Sequence, residues 1–300
     1  MRAAYFPAVL LATGIGWGAT QPLGKIAASS GHGPFGLILW QLVICVLVLG
    51  ALTLVRGKRL ALHPRALRFY LVVAVLGTLV PNFTFYLSVA RLPAGIMSIV
   101  ISAVPLIAFP LSVMLGMDRF GWRRAAGLGL GLTGVCLIAA PGAVLPDPSL
   151  AIWVPVALIG PLFYAMEGVF VARNGTEGLD AVQAMFGASV AGLVLCLPIS
   201  LALGQFYVMP MPPGPTDWAL IASSALHALL YATYVWMASR AGAVFASQTS
   251  YIVTAAGVIW AMLILNERFP PAVWLAAAVM LGGMFLVQPR EKQAVAVIGD

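Results

Sequence analysis

Apolar residues in this chain run in long blocks, and short polar turns separate the blocks. A membrane-crossing helix needs roughly 20 mostly apolar residues. By that rule the chain predicts ten helical spans, at residues 5–28, 35–55, 66–90, 94–116, 122–140, 151–173, 179–203, 216–239, 243–265 and 271–287. Ser29-Ser30-Gly31-His32-Gly33, Pro141-Gly142, Pro146-Asp147-Pro148, Asn174-Gly175 and the proline-rich run 210–215 supply the turn chemistry between them. The first block follows Met1-Arg2 directly, as a secretory signal would. It runs on without a cleavage site and has a counterpart in the second half, so it is expected to be retained.

The blocks repeat. Arg91, Ala94, Ser98, Asp118, Arg119 and Phe120 recur as Arg240, Ala243, Ser247, Glu267, Arg268 and Phe269, at a constant offset of 149 residues. The same offset relates Gly134 to Gly283 and Pro64 to Pro213. Residues 1–149 and 150–290 therefore read as two five-helix repeats, followed by a tail at 291–300. Five is an odd number, so the second repeat must enter the membrane from the opposite side. The expected fold is an all-α membrane protein of ten transmembrane helices, built as two inverted five-helix repeats. Many secondary transporters use that plan, with the substrate site near the midplane at the repeat interface.

Composition agrees with a bilayer as solvent: hydrophobic residues make up 62%, charged residues 8%, and mean hydropathy is +1.01. A soluble domain carries roughly 25% charged residues. The net charge of +7 is no nucleic-acid signal, because the basic residues sit in short loops. With both termini inside, all of them but Lys25, Arg91 and Arg268 fall on the cytoplasmic side, as the positive-inside rule requires. Cys45, Cys136 and Cys196 stand singly in apolar runs, which suggests neither a metal site nor a disulfide.

Polar residues inside the spans are the candidates for function. Glu167 is the one acid well inside a predicted span. An acid at helix centre costs roughly 2.5–3.5 kcal/mol on insertion scales and usually faces a cavity. It would serve as a proton site or hold a substrate ammonium; a protonated Glu bonding a neighbouring helix is the structural alternative. Thr78, Asn82, Phe85 and Tyr86 of the third span and His227, Tyr231 and Tyr234 of the eighth lie in equivalent stretches, with spacings of three and four residues that share a helical face, and Phe83 is expected in the same chamber. Trp17, Met166 and Tyr251 complete an expected aromatic and apolar chamber, with Ser98, Ser102 and Gln248 to bond a zwitterion. Pro105 and Pro110 are expected to bend the fourth span during gating. Gly127, Gly129, Gly131 and Gly134 in the fifth span, with Gly282 and Gly283 in the tenth, read as close helix packing.

What the sequence lacks narrows the choice. No Lys or Arg lies deep in a span, which argues against organic phosphates as substrate. There is no phosphate-binding loop, no H-E-x-x-H and no G-x-S-x-G, so neither direct ATP drive nor intramembrane hydrolysis has visible machinery. No cofactor and no metal are called for, and the chain is not expected to be an enzyme. The expected partners are a small-molecule substrate and membrane lipid, with no nucleic acid, in a monomer or homodimer.

Ten spans in two inverted repeats, W-G-A-T in the first span, the R-L-P-A-G and R-A-G-A junctions, and N-E-R-F at Asn266 to Phe269 resemble the drug/metabolite transporter superfamily, EamA type. The pattern is similar to the branch that exports aromatic and other amino acids from bacteria. The resemblance covers nearly the whole chain and implies a multi-pass protein of the inner membrane that carries amino acids or related metabolites outward. An exporter of hydrophobic drugs would suit the same aromatic chamber. A non-transporting intramembrane enzyme or assembly subunit is the third reading, and it predicts no continuous cavity.

Overall fold

The computed structural model of the chain describes residues 5–139, 145, 147–241 and 249–287, and all regular elements among the described residues are helical. They are α1 (Phe6–Ala28), α2 (Pro34–Val55), α3 (Pro64–Ala74), a π-helical turn (Val75–Leu79), α4 (Val80–Val89), α5 (Ala94–Val100), α6 (Ala103–Met114) and α7 (Trp122–Ala139). A 3₁₀ turn (Pro148–Ile152), α8 (Trp153–Asn174), α9 (Ala181–Ala202), α10 (Pro215–Ala241), α11 (Thr249–Leu265) and α12 (Pro271–Val287) follow. Among the described residues five stretches are long and apolar enough to cross a membrane: Pro34–Val55, Pro64–Val89, Ala94–Met114, Pro148–Asn174 and Ala181–Ala202. Two shorter apolar helices, α11 and α12, add to them. Large apolar side chains face outward along these helices, among them Leu47, Val194 and Leu263, each about two-thirds exposed.

Local chemistry sets the boundaries. Prolines open α2, α3, α10 and α12, at a position where the missing N–H has no intrahelical partner to lose. Asp180 opens α9 with a capping box: its carboxylate accepts from the N–H groups of Val182 and Gln183, and the Gln183 side chain returns to the Asp180 N–H. Arg56 and Lys58 also pair with Asp180. Partial burial would raise the Asp180 carboxyl, but these cations and the cap hydrogen bonds prevail and hold it down at about 2.

Prolines interrupt two of the spans. The fourth span breaks at Ile101–Ser102, between α5 and α6, and not at a proline itself. Residue 101 is four positions before Pro105, and its carbonyl is the one a proline ring displaces; it accepts from the Val104 N–H in a tighter turn. Pro110 sits inside α6 without ending it. In the third span Pro81 cannot donate to the carbonyl of Gly77. There the helix widens, and the Val80 N–H reaches back to the Val75 carbonyl.

Packing is symmetric under exchange of the halves by the 149-residue offset. In the first half α1 lies against α10 and α11; in the second, its counterpart α8 lies against α4 and α6. Likewise α2 packs on α10, and α9 on α3. Three helix pairs meet across the halves, and each crosses antiparallel: α2 with α9 and α7 with α12 are counterparts under the offset, and α5 with α11 belong to the counterpart spans four and nine. Gln205, just past the end of α9, accepts from the Phe35 N–H at the start of α2, while Arg56 at the end of α2 meets Asp180 at the start of α9. In α7 and α12, Arg123 covers the Phe285 ring, Gly127 abuts Gly283, and Gly134 abuts Met280. In α5 and α11, Ser98 abuts Gly257, and Glu267 beyond α11 caps the first residues of α5.

Candidate functional site

A cavity of about 290 Å³ lies where the halves meet. Its walls come from α1, α2, α4, α5, the α5–α6 break, the start of α6, α8, α10 and α11, while α7, α9 and α12 stand outside it. The glycine-rich pair α7 and α12 is thus a buttress.

Glu167 of α8 is its central polar group. The residue is 4% exposed, and Oε1 accepts a hydrogen bond of 2.9 Å from the Tyr231 hydroxyl of α10. The π-helical turn gives it room, because Gly77 lies directly against the Glu167 carboxyl, where a Cβ would collide with it. Widened turns of this kind recur at functional sites. Among the described residues the lining includes neither Lys nor Arg. A carboxylate held here needs a proton or a bound cation to neutralise it, because an unpaired charge in a low-dielectric site is strongly disfavoured.

Around Glu167 stands an aromatic wall. The Trp17 ring meets His227, Tyr231 and Tyr234 edge-on at centroid distances of 6.0, 5.8 and 5.8 Å. Its Nε1 points at His227 Nδ1 across 3.4 Å. Tyr86 donates its hydroxyl to Gln41 Oε1 at 3.1 Å. Asn82 also lines the cavity. The structure therefore brings together Trp17, Asn82, Tyr86, Glu167, His227, Tyr231 and Tyr234.

Other expected wall residues lie elsewhere. Phe83 stacks on Phe35 at 5.0 Å. Ser98 and Ser102 are fully buried, and their hydroxyls donate to the carbonyls of Ala94 and Ile99, four and three residues back in the same span. Met166 is 37% exposed. It is not among the lining residues, although Glu167 and Gly168 beside it are. Tyr251, Pro105 and Pro110 are not among the lining residues. Gln248 lies outside the described residues.

Several lining residues went unread in the sequence. Tyr164 falls on the Glu167 face, three residues before it, and Gln41 is a lone amide in an apolar span. Both carried a readable signal: helical spacing from the buried acid for Tyr164, and a polar group at membrane depth for Gln41. Thr249 and Ser250 complete the wall from the first turn of α11.

The face of the molecule opposite Arg56 and Asp180 is tied together above the cavity. The Lys25 ammonium, near the end of α1, donates to the carbonyls of Val89 and Leu92 at 3.1 and 2.6 Å. The Glu267 carboxylate accepts from the N–H groups of Ala94 and Gly95 at 2.8 and 3.1 Å, at the positive end of α5. The Phe269 ring sits against Gly95. The N-E-R-F run thus caps a helix of the other half.

The EamA-like transporter family model matches the chain twice, at residues 7–140 and 151–288. A probable terminal-alkyne amino-acid exporter of Streptantibioticus cattleyicolor is 23% identical over 94% of this chain and 92% of its own length. A chloroplastic WAT1-related protein of Arabidopsis thaliana is 24% identical over 85% of this chain, which spans 63% of that protein. One solved crystal structure superposes with a TM-score of 0.63, covering 92% of this chain and 94% of its own, at 18% identity. At that identity the likeness shows the fold alone.

Proposed function

This chain belongs to the EamA-like transporter family, and from that premise we propose that it is a secondary exporter of amino acids, aromatic ones included, working by alternating access. The observation that carries this reading is the cavity at the seam of the two halves, apolar and aromatic in its walls, with one buried carboxylate facing it. The amino-acid assignment draws support from the Streptantibioticus relative, which is named as an exporter of an amino acid.

The reading takes the repeats, residues 1–149 and 150–290, as ten spans in opposite orientation. The antiparallel crossings of the counterpart helices α2 with α9 and α7 with α12, and of α5 with α11 within the counterpart spans four and nine, favour it, since a two-fold axis in the membrane plane reverses every counterpart pair. Arg56, Lys58 and Asp180 then mark the cytoplasmic face, and Lys25 and Glu267 the outer face, of a bacterial inner membrane. In this assignment the Lys25 and Glu267 contacts close the cavity outward, and their release opens it. Trp17, Tyr86, Tyr231 and Tyr234 hold the substrate side chain, and Glu167 takes its ammonium or a proton. Ser98 and Ser102 serve packing, because their hydroxyls are already engaged.

The test is counterflow of radiolabelled phenylalanine in liposomes carrying the purified protein. Accumulation well above empty vesicles is expected. Flux of lipophilic cations with no flux of any amino acid would favour the drug-export reading and contradict this one.

A further inference from the structure

The transport reading leaves one feature of the cavity unassigned. Asn82 is 6% exposed, and its Nδ2 has no hydrogen-bond partner. Buried amides without partners are disfavoured and uncommon. Other side chains among the described residues share this property: Tyr70, Ser88, Arg124, Ser200 and Tyr207 lie off the cavity, and Thr249 lies on it at the first turn of α11. Asn82 is thus an unused donor on the wall of a binding chamber.

A second amide stands at the same depth. Gly24 of α1 lies against the Phe85 ring of α4, and both α1 and the α3–α4 span run from the Arg56 face towards the Glu267 face. Three residues back along each helix are Gln21 and Asn82, which are therefore level, and both line the cavity. Glu167 is not at that depth. Its carboxyl lies against Gly77, five residues before Asn82. At about 1.5 Å per residue, that is about 7.5 Å along the axis. The chamber is polarised, with amide side chains towards the outer face and a carboxylate deeper in.

The spacing suits one chemical class. In an α-amino acid the ammonium nitrogen and a carboxylate oxygen are three bonds apart, roughly 3 Å. A charge-assisted hydrogen bond of about 2.8 Å at each end makes a span of roughly 8–9 Å between protein groups. Resting on the amino-acid reading above and deepening it, we propose that this site recognises both charged groups of an α-amino acid at once. The Asn82 and Gln21 amides receive the carboxylate, and Glu167 receives the ammonium. The site thereby discriminates against amines without a carboxylate and acids without an ammonium. The aromatic wall of Trp17, Tyr231 and Tyr234 is left for the side chain.

The experiment is competition against radiolabelled phenylalanine counterflow by three analogues: phenethylamine, 3-phenylpropionate and phenylalaninamide. In the unaltered protein, unlabelled phenylalanine is expected to compete about tenfold or more better than any of them, the effect of one lost charge-assisted hydrogen bond. In Asn82→Asp the new carboxylate repels the substrate's own, so the order is expected to reverse in favour of phenylalaninamide. Gln21→Glu provides the same reversal should Asn82→Asp fail to fold. Equal competition by phenethylamine or 3-phenylpropionate in the unaltered protein overturns the two-ended site while leaving amino-acid transport standing. An unchanged order in folded Asn82→Asp overturns it too. Absence of phenylalanine flux altogether removes the transport reading, and this inference with it.

Discussion

Replacing Glu167 with Gln is expected to reduce phenylalanine flux by at least about tenfold and to flatten its dependence on pH. The substitution is nearly isosteric, and the Tyr231 hydroxyl can donate to an amide oxygen as it does to Oε1. Folding should therefore survive, which gel filtration and thermal unfolding in detergent will check. What disappears is the negative charge. A substrate ammonium then loses its partner in a chamber without other acidic side chains among the lining residues, a loss of about 1.5–3 kcal/mol for a hydrogen bond to a charged group. If Glu167 also exchanges a proton during the cycle, its removal takes away the group that titrates, so flux should no longer follow pH. Flux within twofold of the unaltered protein, with the same pH profile, would leave Glu167 a structural residue.

The second large effect concerns stability. At Gly283 of α12 a Cβ would lie 2.6 Å from the carbonyl oxygen of Gly127 and 2.8 Å from the nitrogen of Gly131, both backbone atoms of α7. Neither can rotate aside as a side chain would, so Gly283→Val must drive the helices apart. The expected cost is about 3 kcal/mol, with loss of monodisperse protein on extraction. Gly282 is the internal control: nothing lies within 4 Å of the Cβ position there. Gly282→Val should leave the melting temperature nearly unchanged. Equal behaviour of the two variants would show that α7 and α12 do not rely on this close approach, of the kind small residues permit between membrane helices.

The parts of the molecule legible from sequence are those that hydropathy and the repeat encode. Apolar blocks of membrane length placed the helices to within a few residues, as with α9 at Ala181–Ala202 against the expected 179–203. The spacing of three and four residues put Tyr231 and Tyr234 on one face, and both meet Trp17. The bond between Glu167 and Tyr231 joins residues 64 apart in sequence, and no periodicity links them. The rotation of α8 escaped the repeat as well. The offset pairs Trp17 with Met166, yet the second half turns Glu167 inward and Met166 out. These counterpart positions keep their helix but not their face. The widened turn beneath Glu167 had a sequence cause in Pro81, but its consequence depended on which side chain would occupy the space beside Gly77. The serines show a limit of another kind. Ser98 and Ser102 have the spacing of a polar face, but a serine in a helix can satisfy itself on the carbonyl three or four residues back, and both do.

The central claim is that counterpart positions of the two halves face opposite sides of the membrane, and cysteine labelling tests it most directly. With Cys45, Cys136 and Cys196 replaced, a single cysteine is placed at Arg56 or at Phe206, both exposed. Intact cells are then treated with a membrane-impermeant maleimide. The account predicts that the cysteine at 206 reacts from outside and the one at 56 only after the cells are opened. Reaction of both positions from the same side would contradict opposed halves, and with them the seam in which the cavity is placed.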